Sequence, residues 1–222
     1  MMGCKRGMGW KVWVVGGMAA LSLGTTAFAN DGAKKEAQRM GKAEAKRDAY
    51  LDQLALFNAK QVAMGELAMQ RAQSPEVREF AQHLVQDHRQ NTDDWMAWAG
   101  SQDIEMMTAE LAMPMMGTGG SGMSGREDMA YGEEMKKAGK HMDKRTLDAQ
   151  KELDKLGEKE GMAFDKEFLS RVIDDQEKGK KMLGKGEKKF ETDPAFASLI
   201  AKTDSLVMGH ITEGKRLKDS MK

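Results

Sequence analysis

The chain of 222 residues holds a single cysteine and three prolines, and aromatic side chains make up only 6% of it. One cysteine cannot close an intramolecular disulfide, so a small stapled scaffold and a cysteine-rich zinc site are both excluded. Scarce aromatics argue against a β-sandwich, whose strands favour aromatic and β-branched residues, and point to helices. Excess charge of one sign is missing too: 35 basic side chains balance 35 acidic ones. Nonspecific nucleic-acid binding depends on clustered Lys and Arg neutralising phosphates, so no nucleic-acid partner is expected. No Glu-x-x-His occurs anywhere, and no Gly-rich phosphate loop or plausible Ser-His-Asp placement is found. The reading is therefore non-enzymatic.

What is present begins with a leader. Lys5, Arg6 and Lys11 precede an apolar run from Trp13 to Leu23, and Ala27-Phe28-Ala29 follows. This is the layout of a secretory signal peptide over 1–29, and the run falls short of the roughly 20 apolar residues that span a bilayer. Cys4 lies upstream of the apolar run, away from the position of a lipid-anchored cysteine. Cleavage after Ala29 removes three basic residues, no acidic ones and the only cysteine, which leaves a formal charge of −3. The expected location is the periplasm or the outer membrane, with no transmembrane span in the mature chain and contact with the envelope or a protein partner open. The mixed charges between Arg126 and Lys159 offer no single-sign docking patch and fit a solvated helical face.

Helical periodicity dominates the rest. A charged lead-in occupies 30–49, and from Tyr50 an apolar stripe runs through Leu51, Leu54, Phe57, Val62, Met64, Ala68 and Met69. Ser74-Pro75-Glu76 starts a second helix: Ser caps, Pro occupies the first turn, and Glu meets the positive end of the helix dipole. Its stripe is Val77, Phe80, Ala81, Leu84, His88 and Trp95. The span 101–145 reads as a Met/Gly-rich and charged insertion, with helix returning around Leu147 to Leu156. Phe164, Phe168, Val172, Leu183 and Phe190 mark a further helix, and Thr192-Asp193-Pro194 repeats the proline start before Phe196, Ile200, Thr203, Val207, His210 and Leu217. Two hairpins, each with a histidine well along a proline-initiated second helix, predict an all-α, antiparallel four-helix bundle over 50–220.

The residues Phe57, Gly65-Glu66, Val77-x-x-Phe80-Ala81, Asp87-His88, Leu156, Phe164-Asp165-x-x-Phe168, Asp174-Asp175, Leu206 and His210 resemble the bacterial domain-of-unknown-function family DUF4142, over roughly Tyr50 to Leu217. That resemblance implies an exported, ferritin-like helical bundle with no established enzymatic activity. Where the family usually shows Asp-His, this chain has Asp175-Gln176.

Two candidate sites emerge. Counted from the hairpin turns, Asp175 and His210 lie at one height and are expected to face each other, while His88 and Glu66 are offset from one another by roughly 9 Å. Asp175 and His210 form either a register-fixing buried hydrogen bond or a weak metal site using His210, Asp175 and His88. The second candidate is methionine, 21 residues of the chain; of the 17 that follow Ala29, nine lie between Met106 and Met142. Thioethers select Cu(I) over hard cations, so Met106, Met107, Met113, Met115 and Met116 could bind Cu(I) or Ag(I), with Met123, Met142 and His141 nearby. The alternative readings are gap-filling and oxidisable loop residues.

Overall fold

The structure is a computed structural model that describes residues 26–107, 109, 111, 131–190 and 193–221. The chain divides into two units, Met1–Gln38 and Arg39–Lys222. Five helices follow one another: α1 (Thr26–Arg71), α2 (Pro75–Ser101), α3 (Tyr131–Gly157), α4 (Gly161–Phe190) and α5 (Pro194–Ser220). The protein is an all-α bundle, and no strand occurs among the described residues. None of the helices searched is long and apolar enough to cross a membrane.

Both proline starts form as their chemistry dictates. Ser74 Oγ accepts from the Val77 amide at 3.4 Å, and Asp193 Oδ1 accepts from Ala195 and Phe196 at 2.9 and 3.0 Å, with proline next in line in each. A second device holds the α1–α2 turn. The buried Asp165 of α4 accepts from the Gln73 and Ser74 amides at 3.0 and 2.8 Å, so one carboxylate satisfies two backbone donors that the turn leaves without helical partners. Between α3 and α4 the chain reverses through Gly161, whose φ of +56° is open to glycine at little steric cost.

Close contacts fix the directions of the helices. Gly65 sits against Ala81 and Val85, and Asn58 meets His88 and Asn91, so α1 and α2 are antiparallel. Gln61 meets Gln176, Phe57 meets Gly179, and Tyr50 meets Gly186, which makes α4 antiparallel to α1. Asn91 with Thr203 and Asp87 with His210 do the same for α2 and α5. Two helices each antiparallel to α1 must run the same way, so the chain has to travel back along the bundle between α2 and α4. The 27 residues of α3 span about 40 Å at 1.5 Å per residue, enough for that return. Its start at Tyr131 puts helix within the span expected as insertion, 101–145, while 112–130 lie outside the described residues.

The core has two apolar clusters. Around the α1–α2 turn, Met64, Leu67, Val77, Phe80, Leu84, Leu153, Leu156, Phe164, Phe168, Val172 and Leu217 pack together, with all five helices contributing. At the other end Tyr50, Leu51, Leu54, Trp95, Trp98, Leu183, Phe196, Ile200 and Val207 form the second, and Met106 packs into it from beyond the end of α2. Most of the expected apolar positions are buried; Met69 is an exception at 42% exposed, and Leu147 is out in solvent.

Candidate functional site

A polar layer lies among the helices at the height of the histidines. Asn58, Gln61, His88, Asn91, Gln176, Thr203 and His210 are all buried there, with His88, Gln61 and Gln176 at 0% exposure. Burial of so many polar groups is tolerable only if they satisfy one another. One chain of donors does so: Trp95 Nε1 donates to Thr203 Oγ1 (3.1 Å), Thr203 Oγ1 to Asn91 Oδ1 (2.7 Å), and Asn91 Nδ2 to Asn58 Oδ1 (3.1 Å).

The histidines join this network in defined tautomers. His88 Nδ1 lies 2.9 Å from Asn58 Oδ1, which only accepts, so Nδ1 carries the proton. Its Nε2 lies 2.8 Å from Gln176 Nε2, which only donates, so that ring nitrogen presents its lone pair. His210 is built in the same sense: Nε2 donates to Asp87 Oδ2 at 3.0 Å, and Nδ1 faces Gln176 Nε2 at 3.4 Å. The two rings are 5.2 Å apart, centre to centre. Burial pushes His88 well below the ordinary imidazole range, and the neighbouring His210 adds to this. Burial lowers His210 too, outweighing the opposite pull of the hydrogen bond and charge of Asp87. Two neutral imidazoles thus turn their lone pairs toward a single amide group.

That amide is over-subscribed. Gln176 Nε2 has two protons and three acceptors, the third being Gln61 Oε1 at 3.3 Å. Meanwhile Gln176 Oε1 and Gln61 Nε2, both buried, have no hydrogen-bond partner.

Asp175 stands elsewhere. The expected Asp175–His210 pair is not formed: Asp175 Oδ2 lies 2.6 Å from Lys60 Nζ and Oδ1 3.1 Å from Lys178 Nζ. Counting residues from the turns placed the height correctly but left the direction open. One residue along a helix rotates the side chain by about 100°, and that step hands the inward position to Gln176. Lys60 also pairs with Glu152 of α3, and these residues line a cleft of about 240 Å³ with Phe57, Arg145 and Met182. Glu66 pairs with Arg89 on the surface and takes no part in the histidine layer.

The methionines divide. Met106 and Met142 are buried, at 8% and 5% exposure, and Met106 is part of the apolar core, which removes its thioether from any solvent-facing chelate. Met107 is half-buried beside a groove lined by Val62, Arg89 and Met96, while Met113, Met115 and Met116 lie outside the described residues. Among the described residues no group of three or more His, Cys, Asp or Glu side chains is placed to hold a metal ion, so the carboxylate set of a ferritin-like di-iron centre does not fit this layer.

Sequence reasoning had His88 and His210 on the inward stripes. It missed Asn58, Gln61, Asn91 and Asp87 as their partners; the available signal was Asn58 and Gln61, polar residues three apart within the otherwise apolar inner face of α1.

Among known protein families, the model described as domain of unknown function (DUF4142) matches residues 32–217. No curated protein and no solved structure matches the chain.

Proposed function

The chain belongs to the DUF4142 family, and from that premise we propose that it is an exported, ferritin-like bundle that acts by binding in the cell envelope and carries no catalytic role. The helix directions support the ferritin-like reading. α1, α2, α5 and α4 form a ring of antiparallel neighbours, and a single long crossover, carried by α3, joins the two hairpins. Export rests on the leader at 1–29. The observation that carries the binding role is the histidine layer: each ring has its N–H fixed by a neighbour, while its lone pair points at a donor. This arrangement receives an electropositive group.

The test is made on protein from its native host. The reading expects a chain beginning at Asn30 in the periplasmic or outer-membrane fraction, and a deletion strain with a phenotype under copper, oxidant or acid stress. Cytoplasmic full-length chain would contradict export.

A second reading, soft-metal binding through the methionine segment, is favoured by the nine methionines between Met106 and Met142. With Met106 and Met142 in the core, it draws on Met107 and on Met113, Met115 and Met116. Deleting 106–123 would abolish Cu(I) affinity if it holds; affinity retained would exclude it.

A further inference from the structure

We propose that His88 Nε2 and His210 Nδ1 form a buried two-imidazole seat for a monovalent Cu(I)-type cation, with the Gln176 NH2 group standing where the cation binds. This deepens the binding reading, resting on the same histidine layer, and is independent of the methionine segment.

Three features of the layer carry the assignment. A metal-ligating histidine characteristically donates its other ring N–H to a carboxylate or carbonyl oxygen, which fixes tautomer and orientation. Here His88 Nδ1 donates to Asn58 and His210 Nε2 to Asp87, leaving one free lone pair on each ring. Those lone pairs converge on one point, 2.8 Å and 3.4 Å from Gln176 Nε2. The ring spacing fits as well. With a metal–nitrogen bond of about 2.0–2.1 Å and a ring nitrogen roughly 1.1 Å from its centre, rings 5.2 Å apart subtend about 110° at a shared cation. Both rings can ligate without moving apart.

The glutamines supply the rest. Gln176 Oε1 and Gln61 Nε2 are buried without partners, while the Gln176 NH2 is claimed by three acceptors. For the cation to enter, the Gln176 amide has to withdraw from that point; withdrawn and turned by half a turn, it presents its oxygen to the cation as a third donor, an orientation that two bare lone pairs alone would repel.

Charge decides the cation class. Among the described residues Asp87 is the one carboxylate hydrogen-bonded to the histidine pair, so a single positive charge is balanced and a second would stay buried without compensation. Imidazole suits copper, whereas hard cations require oxygen. Phe57 stands between the layer and the surface: its ring packs edge-on against His88 at 5.3 Å and also lines the Lys60–Asp175 cleft, with the bare face of Gly179 against it.

The experiment uses ¹⁵N-labelled mature protein and anaerobic addition of one equivalent of Cu(I), with imidazole nitrogen resonances recorded. His88 Nε2 and His210 Nδ1 should shift together, while both nitrogens of His83 and His141 stay in place. Unmoved His88 and His210 signals would overturn the proposal, whether the Cu(I) stays free, goes to His83 or His141, or is held by methionines. As a second measure, Asp87→Asn at a half-exposed position should weaken Cu(I) affinity about 10- to 100-fold in competition with a chromophoric chelator, the usual effect of removing a residue that orients a ligand. Unchanged affinity would overturn it equally.

Discussion

Acidification should destabilise this protein before its ordinary carboxylates begin to titrate. His88 and His210 are held below the ordinary imidazole value of 6.5 by burial, so near neutrality both states of the chain carry them uncharged. As pH falls through 6.5, the unfolded chain takes up protons that the folded layer refuses. Stability present above pH 6.5 is then lost on the way down toward the folded-state values. A histidine that stays neutral in the fold costs about 1.4 kcal/mol at pH 5.5, so the pair costs up to about 3 kcal/mol. For a chain of this size that corresponds to a fall in Tm of roughly 6–12 °C. Asp52 opposes the trend. Burial raises its carboxyl to about 6, against the pull of the Met107 amide and with a push from Asp48, so stability it withholds above pH 6 returns as it protonates. Asp52→Asn removes this offset, and differential scanning calorimetry of that variant between pH 7.5 and 5.5 is the clean assay. A Tm that stays flat or rises over that interval would refute the neutral, desolvated histidine pair.

Other substitutions probe the frame. Asp165→Ala takes away the carboxylate that accepts two turn amides, and should cost about 2–4 kcal/mol in chemical denaturation; a loss below 1 kcal/mol would mean that water replaces it. Gly186→Ala would bring a Cβ to 2.2 Å from the Tyr50 hydroxyl, so the ring must shift within the second core cluster, with an expected loss of about 1–3 kcal/mol; an unchanged Tm would show that Tyr50 yields freely. Phe168→Ala, fully buried in the first cluster, should cost about 3–5 kcal/mol by urea unfolding, and a cost near 1 kcal/mol would indicate that the cluster collapses around the cavity.

The helices were legible because their signals are local. Ser74-Pro75 and Asp193-Pro194 act within one turn, and the stripes of α2 and α5 repeat every three or four residues whatever they pack against. The family resemblance carried by those stripes agrees with the match over 32–217. The helical character of Arg126 to Lys159 was legible in its mixed charges, but the start of α3 at Tyr131 and its role as the return path were not, because that role depends on the directions of α2 and α4. The site was half legible. Placing His88 and His210 inward needed only periodicity, but choosing between Asp175 and Gln176 needed the rotation of α4 about its axis, which neighbouring helices set. The same limit hid Asp165, whose partners at Gln73 and Ser74 are more than 90 residues away.

Two neutral histidines meet across one glutamine amide. Imidazole ¹⁵N spectra of metal-free protein at pH 7.5 test this. The structure predicts that both rings are uncharged, His88 protonated at Nδ1 and His210 at Nε2, with His88 Nε2 and His210 Nδ1 as the bare nitrogens. An imidazolium at either position, or the opposite tautomer at either ring, would contradict it.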